Sequence, residues 1–297
     1  MKILITGVNG FIGSNIYNGL KKNHNILGIS QSMKSKICDN YISCDLTNRE
    51  HLEKVIKENN DIDVIVHCAA LAHNKGNDLS KERFKKVNYE VTKYLVDLSN
   101  KYLKLEKFIF LSTISVYGER MEKSVYIESD KCFPKSPYAV AKKKSEEYIT
   151  ANCESQYFML RLAPVYSNTF RLNIQRRTEI KGVNYIVGKG NNKLSLCNVK
   201  NIVDVIGNIM DGSVNSNEIY NISDESPYTF KDMLYINKVS KFRIFVPKFA
   251  INMLYVINKS TIKKQFIDEN SIKLVTDNIY SSEKLRKYIK LEYNLKH

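Results

Sequence analysis

The sequence predicts an α/β fold with a doubly wound parallel sheet and a small C-terminal lobe. Three observations carry that expectation. A short apolar run opens the chain and passes into a G-x-x-G-x-x-G loop, Thr6-Gly7-Val8-Asn9-Gly10-Phe11-Ile12-Gly13. Strand-like apolar runs then alternate with helix-period segments through residue 162. A Tyr-x-x-x-Lys pair, Tyr138 and Lys142, follows a strand pattern that ends in Ser112-Thr113.

Taken in order, Lys2-Ile3-Leu4-Ile5 reads as a buried strand, and Phe11, Ile12, Ile16 and Leu20 recur at helical spacing. Strand, glycine turn and helix is the setting a dinucleotide pyrophosphate needs. Glycines permit close approach, and the helix start offers free N–H groups. The spacing G-x-G-x-x-G is absent, so the loop alone reads equally well as a tight turn. Asn25 to Ser30 reads as the second strand, Tyr41 to Cys44 as the third and Val64 to Cys68 as the fourth, with a helix over His51 to Asn59. Lys81 to Tyr102 reads as one long helix and Lys107 to Leu111 as the fifth strand. Ser136 as N-cap and Pro137 at the first helical position start the helix that carries Tyr138. Tyr157 to Arg161 is the sixth strand. After Pro164 the regularity weakens: helices are expected over Phe170 to Ile180 and Lys200 to Met210, and a strand over Glu218 to Ile222. The expected organisation is a nucleotide-binding domain over 1–162, with segments near 196–222 returning to it, and a substrate-binding lobe over 163–195 and 223–297.

Tyrosine and lysine four apart on a helix share a face. A hydroxyl (Thr113), a phenol (Tyr138) and an ammonium (Lys142) held together can run hydride chemistry at a carbonyl. Lys142 and an oxidised nicotinamide, both cationic, favour the phenolate and let the phenol exchange a proton near neutral pH. A dinucleotide fold that prefers NAD carries an acid at the end of its second strand, to bind the ribose hydroxyls. Here that place holds Ser30-Gln31-Ser32, followed by Lys34 and Lys36. An end without an acid does not repel a 2′-phosphate, so NADP(H) is favoured over NAD(H).

The 297 residues carry 46 Lys and Arg against 31 Asp and Glu, a formal charge of +15. The lysines are interleaved with glutamates, as in Lys142-Lys143-Lys144-Ser145-Glu146-Glu147, and form no basic stripe alternating with aromatics. Nucleic acid is therefore not the expected partner, and the charge is read as solvated surface that helps attract an anionic substrate. The six cysteines form no C-x-x-C pair and no metal-like spacing, and His67 and His73 have no third ligand placed near them. No metal is expected. No apolar run reaches membrane-spanning length: the longest candidate, Phe249 to Ile257, is short and carries Asn252. A strand starting at Lys2 leaves no room for a leader, and unpaired thiols suit a reducing compartment, so a cytoplasmic location is expected.

With these motifs in hand, the chain resembles the extended short-chain dehydrogenase/reductase family, in its nucleotide-sugar epimerase, dehydratase and 4-ketoreductase branch. The stretches that carry the resemblance are TGVNGFIG (6–13), CDL (44–46), HCAALAH (67–73), VN (87–88), FIFLSTISVYG (108–118), SPYAVAK (136–142) and LRLAPVY (160–166), in family order. The resemblance implies a Rossmann domain with a small substrate lobe. It implies Thr113, Tyr138 and Lys142 as catalytic residues, with Thr113 and Tyr138 also meeting substrate. Cofactor contacts are implied for Gly7, Gly10, Phe11, Ile12, Gly13, Ser30, Asp45 and Leu46 (the adenine end), Cys68, Ala69, Ala70 and Asn88, besides Tyr138 and Lys142. Arg171 is the residue implied for a substrate diphosphate. The implied activity is NAD(P)-dependent hydride transfer at C4 of a nucleotide-activated hexose, as a 4-ketoreductase in surface-polysaccharide precursor synthesis. The alternatives are a UDP-sugar 4-epimerase and a non-catalytic dinucleotide-binding regulator. Pro164 stands where many epimerases have Asn, and Lys200 where the family usually has Asp. Relatives often form homodimers through the helices holding Asn88 and Tyr138, and the same is expected here.

Overall fold

The apolar runs become strands buried on both sides. The computed structural model describes residues 1–71, 80–118, 120, 123–180, 182–236 and 243–295. The chain runs β1 (Lys2–Thr6), α1 (Phe11–Leu20), β2 (Asn25–Ser30), β3 (Tyr41–Ser43), α2 (Arg49–Glu58), β4 (Val64–His67), α3 (Lys81–Lys85), α4 (Val91–Tyr102) and β5 (Lys107–Thr113). Next come β6 (Val125–Tyr126), α5 (Pro137–Asn152), β7 (Gln156–Leu162), β8 (Val165–Tyr166), α6 (Leu172–Thr178), β9 (Glu179–Ile180), β10 (Val183–Val187), β11 (Lys193–Leu194) and β12 (Cys197–Asn198). The rest is α7 (Val199–Met210), β13 (Glu218–Ile222), β14 (Tyr228–Thr229), α8 (Phe230–Ile236), β15 (Ile244–Val246), α9 (Lys248–Ile257), α10 (Gln265–Val275), β16 (Ile279–Tyr280) and α11 (Glu283–Arg286).

The central sheet has seven strands in the order β13-β7-β5-β4-β1-β2-β3, and the pairs from β3 through β5 are parallel. Strand order reverses beside β1, which makes the sheet doubly wound, as expected. A parallel sheet needs helices on both faces, so its strands read as continuous apolar runs: all of β4 and β5 is buried. Ser136 accepts from the Ala139 N–H at 3.2 Å and Pro137 opens α5, so the predicted start of this helix is the observed one. The long helix expected over Lys81 to Tyr102 is interrupted by a π turn, Lys86–Glu90, which holds Asn88.

The chain divides into two compact units: Met1–Val116 with Pro134–Arg161 and Ile202–Tyr220, and Tyr117–Phe133 with Leu162–Asn201 and Asn221–His297. Residues 117–133, which the sequence reading placed in the first domain, go with the second unit, and so do residues 196–201. The reason is tertiary. The Tyr280 ring stacks on those of Tyr117 and Tyr126 at 5.8 and 5.3 Å, the Tyr117 hydroxyl donates to Asn221 Oδ1 at 2.6 Å, and β6 pairs with β16. The core of the first unit joins Leu4, Leu27 and Ile65 of the sheet to Leu52, Leu95 and Ile149 of the helices; the second has its own, around Tyr166, Ile174, Leu194, Phe230 and Met233.

Candidate active site

At the C-terminal end of β1 the chain reverses at Gly7, whose φ is +69°. Its N–H donates to the Ile29 carbonyl at 2.7 Å, and the Gly10 N–H donates to the Gly7 carbonyl at 2.9 Å. A Cβ on Gly7 would stand 2.9 Å from Ala69 Cα, and one on Gly13 would fall on the Gly7 carbonyl oxygen. Glycine is thus required for the start of α1 to reach the strand ends. Gly10 caps α1 in an extended conformation, and no side chain occupies the cap. Phe11, Ile12 and Gly13 form the first turn. This cradle fits a pyrophosphate, because the helix start has a glycine cap with no side-chain cap hydrogen bond.

The end of β2 is more built than the sequence suggests. The Ser30 hydroxyl shares a hydrogen bond with the Tyr41 hydroxyl at 3.1 Å and accepts from Asn9 Nδ2 at 3.1 Å. The Ser35 hydroxyl donates to Asn9 Oδ1 at 2.7 Å, and Tyr41 donates to the Ser30 carbonyl at 3.0 Å. Lys34 and Lys36 are exposed beside this cluster. Asp45 follows β3 and is exposed, with Oδ1 accepting from the N–H and hydroxyl of Thr47, while Asn48 caps α2. Leu46 is buried.

After β4, Cys68 and Ala69 are half-buried and Ala70 exposed. Asn88 is buried, and its amide is spent on the backbone of Leu71, accepting at 2.7 Å and donating at 3.1 Å. It therefore holds the loop after β4 rather than presenting a free group of its own. His67 is a core histidine, pushed well below its ordinary pKa by burial, with the Lys142 charge adding to the effect. Its ring sits between the hydroxyls of Thr6 (2.7 Å) and Thr92 (3.0 Å). Thr92 donates its own proton to the Asn88 carbonyl, so the His67 proton is assigned to Nε2. His73 lies outside the described residues. Among the described residues no cluster of His, Cys, Asp and Glu could hold a metal.

Thr113 ends β5, and Tyr138 lies in the first turn of α5. Their side chains are hydrogen-bonded. Thr113 Oγ1 also accepts from the Ser115 N–H at 3.2 Å, which leaves its own proton for the phenol. Burial pushes the Tyr138 phenol up to about 12, and the Thr113 bond pulls the other way. One turn on, buried Lys142 donates to the Leu111 carbonyl at 2.7 Å, with its ammonium 4.3 Å from the centroid of the Phe110 ring. Burial pushes this lysine down to about 7, against the pull of Cys68 and Glu146. Desolvation outweighs the favourable bond at Tyr138, and Lys142 is turned to the Leu111 carbonyl.

Two residues that sequence reading missed lie directly behind. Glu146, one turn beyond Lys142, accepts from Arg161 Nε at 2.9 Å and from the terminal nitrogen at 2.7 Å. It also accepts from the Ser112 hydroxyl at 2.6 Å. Their signal was available: Glu146 continues the face of Tyr138 and Lys142, and Arg161 is a lone charge in an apolar strand, which requires a partner. Arg171, in the second unit, precedes α6 and is half-buried, with its carbonyl accepting from the N–H groups of Ile174 and Gln175. Pro164, also in that unit, accepts from the Cys197 N–H at 3.1 Å.

The model of the NAD dependent epimerase/dehydratase family matches residues 3–223. The chain belongs to the NAD dependent epimerase/dehydratase family. Among this family's curated members, it is 25% identical over 246 residues to a UDP-glucose 4-epimerase of Vibrio cholerae, covering 78% of this chain and 73% of that one. It is 28% identical over 171 residues to the human dTDP-D-glucose 4,6-dehydratase, covering 53% of this chain; the match spans 48% of the human protein, about half its length. A solved structure of a UDP-glucuronic acid 4-epimerase from Bacillus cereus in complex with NAD superposes with a TM-score of 0.75 at 23% identity, covering 99% of this chain and 95% of that one. The epimerase/dehydratase match includes the glycine cradle, Thr113, Tyr138 and Lys142, and leaves out α8 to α11.

Proposed function

We propose that this chain transfers hydride at C4 of a nucleotide-activated hexose, and acts as an NDP-4-keto-sugar reductase. The observation that carries the reading is the bonded pair Thr113–Tyr138, with Lys142 one turn on, in the unit that also holds the glycine cradle. Gly7, Gly10 and the first turn of α1 would hold the pyrophosphate of a nicotinamide dinucleotide. Asp45 and Leu46 would lie at its adenine, and Cys68, Ala69 and Ala70 along its length. Bound there, the nicotinamide supplies or takes up the hydride. The chain's own part is the proton. Thr113 hydrogen-bonds the reacting oxygen and Tyr138 gives its phenolic proton to it. The charge of Lys142, once a dinucleotide lies beside it, stabilises the phenolate left behind.

An acid-free end of β2, with Ser30, Asn9 and Ser35 gathered beside exposed Lys34 and Lys36, supports NADP(H) at least as well as NAD(H). All six cysteines are free thiols, which supports a reducing, cytoplasmic setting. A second reading is a 4-epimerase, favoured by the name of the Vibrio cholerae relative. The two separate in one assay: a UDP-4-keto-6-deoxy-hexosamine is supplied with NADPH, and the reduced-nicotinamide absorbance is followed. Stoichiometric loss identifies the reductase. No loss, with interconversion of UDP-glucose and UDP-galactose or their N-acetyl forms without added cofactor, identifies the epimerase.

A further inference from the structure

Within the second unit, α9 is amphipathic in the unusual sense. Ile251 and Tyr255, spaced i and i+4, are half-buried on its inward side, where Ile251 packs on that unit's core, and Asn258 just beyond the helix is fully buried. The opposite face should carry charge in a helix that meets only water. It carries Phe249, Met253 and Val256, exposed at 71%, 57% and 63%. The strand leading into the helix, β15, likewise exposes Ile244 at 51% and Phe245 at 62%. A grouped set of large exposed apolar side chains marks a surface that something covers.

The charge around the helix says what. Lys248 at its start and Lys259, Lys263 and Lys264 beyond its end are all exposed, as is Arg243 before β15; the acid at the far end, Asp268, accepts from buried Asn258 at 2.7 Å. From Met233 to Ile267 the sequence contains no Asp or Glu. A second copy of this chain would bring two such cationic rims against each other. An anionic bilayer surface instead meets both features at once, with lipid phosphates for the cations and acyl chains for Phe249, Met253 and Val256. Ten residues of helix reach roughly 15 Å, half a hydrocarbon core, so the element suits lying in the interface and not crossing it. Among the described residues no helix is long and apolar enough to cross a membrane. We propose that α9 with its flanking lysines is an interfacial anchor that docks this protein on anionic lipid. The proposal is independent of the hydride-transfer reading.

The test uses the full chain and sedimentation with vesicles, either phosphatidylcholine alone or phosphatidylcholine with phosphatidylglycerol. The expected result is co-sedimentation with the anionic vesicles, weakened by salt, and a loss of about tenfold or more in the bound fraction for the triple variant Phe249→Glu/Met253→Glu/Val256→Glu. These side chains are exposed, so the variant is expected to keep its circular dichroism spectrum and its turnover. Wild-type protein that stays in the supernatant with anionic vesicles overturns the proposal. So does a triple variant that binds as well as wild type, which would mean adsorption by net charge alone. A wild-type dimer that the variant splits, without vesicle binding, would assign the face to a second copy.

Discussion

Arg161 grips Glu146 with two nitrogens, at 2.9 and 2.7 Å, and both side chains are buried. The carboxylate also holds Ser112, the neighbour of Thr113, while its own helix carries Tyr138 and Lys142. One ion pair therefore fastens the strand end and the helix that together make the reactive group.

Removing one member leaves the other charged and buried. Arg161→Met is expected to lower unfolding stability by about 3–5 kcal/mol. The double change Arg161→Met/Glu146→Gln should recover a substantial part, because no orphaned charge remains. Urea denaturation of the four proteins in the cycle measures this. A double variant no more stable than Arg161→Met would show that the pair is not a unit.

Lys142 gives a pH-dependent prediction. Its folded pKa is about 7, against an unfolded value near 10.4. Below pH 7 the lysine is charged in both states, and the folded protein bears the whole desolvation penalty. Between about pH 7 and 10 the unfolded chain binds the extra proton, so this group makes stability rise with pH. Lys142→Met should thus be more stable than wild type at pH 6 to 7, with an advantage that fades toward pH 10, and should lose turnover about 10²-fold. Melting temperatures across that range check the sign. An advantage that grows with pH would contradict the buried-lysine account.

Ser30 tests cofactor choice. Fluorescence titration should show NADPH binding at least as tightly as NADH. Ser30→Asp should move the preference toward NADH by about tenfold, since a carboxylate repels a 2′-phosphate and binds ribose hydroxyls. A wild-type protein that clearly prefers NADH would show that the Asn9–Ser30–Tyr41 cluster reads the ribose without an acid.

Much of the first unit was legible because its strands are buried on both faces: Val64 to His67 and Lys107 to Thr113 can scarcely be anything else. The glycine cradle and the Tyr138–Lys142 pair could be proposed from sequence because their spacing is local, whereas Thr113 is brought to Tyr138 by the fold. What escaped depends on partners far away in sequence. Tyr117 joins the second unit through Tyr280, Glu146 meets Arg161 across a strand, and Asn9 meets Ser35 and Tyr41 over a strand end. The π turn at Asn88 was hidden inside a good helical period. Phe249 to Ile257 was recognised as apolar, but periodicity could not say that its apolar face points outward.

The central claim is that Tyr138 delivers the proton, and one substitution tests it most directly. Tyr138→Phe keeps the ring and its edge contact with Phe84, at 6.5 Å between centroids, and removes only the hydroxyl. Turnover of a UDP-4-keto-6-deoxy-hexosamine with NADPH should fall at least about 10²-fold, while NADPH titrates as in wild type. Turnover within a few-fold of wild type, with dinucleotide binding intact, would contradict the account.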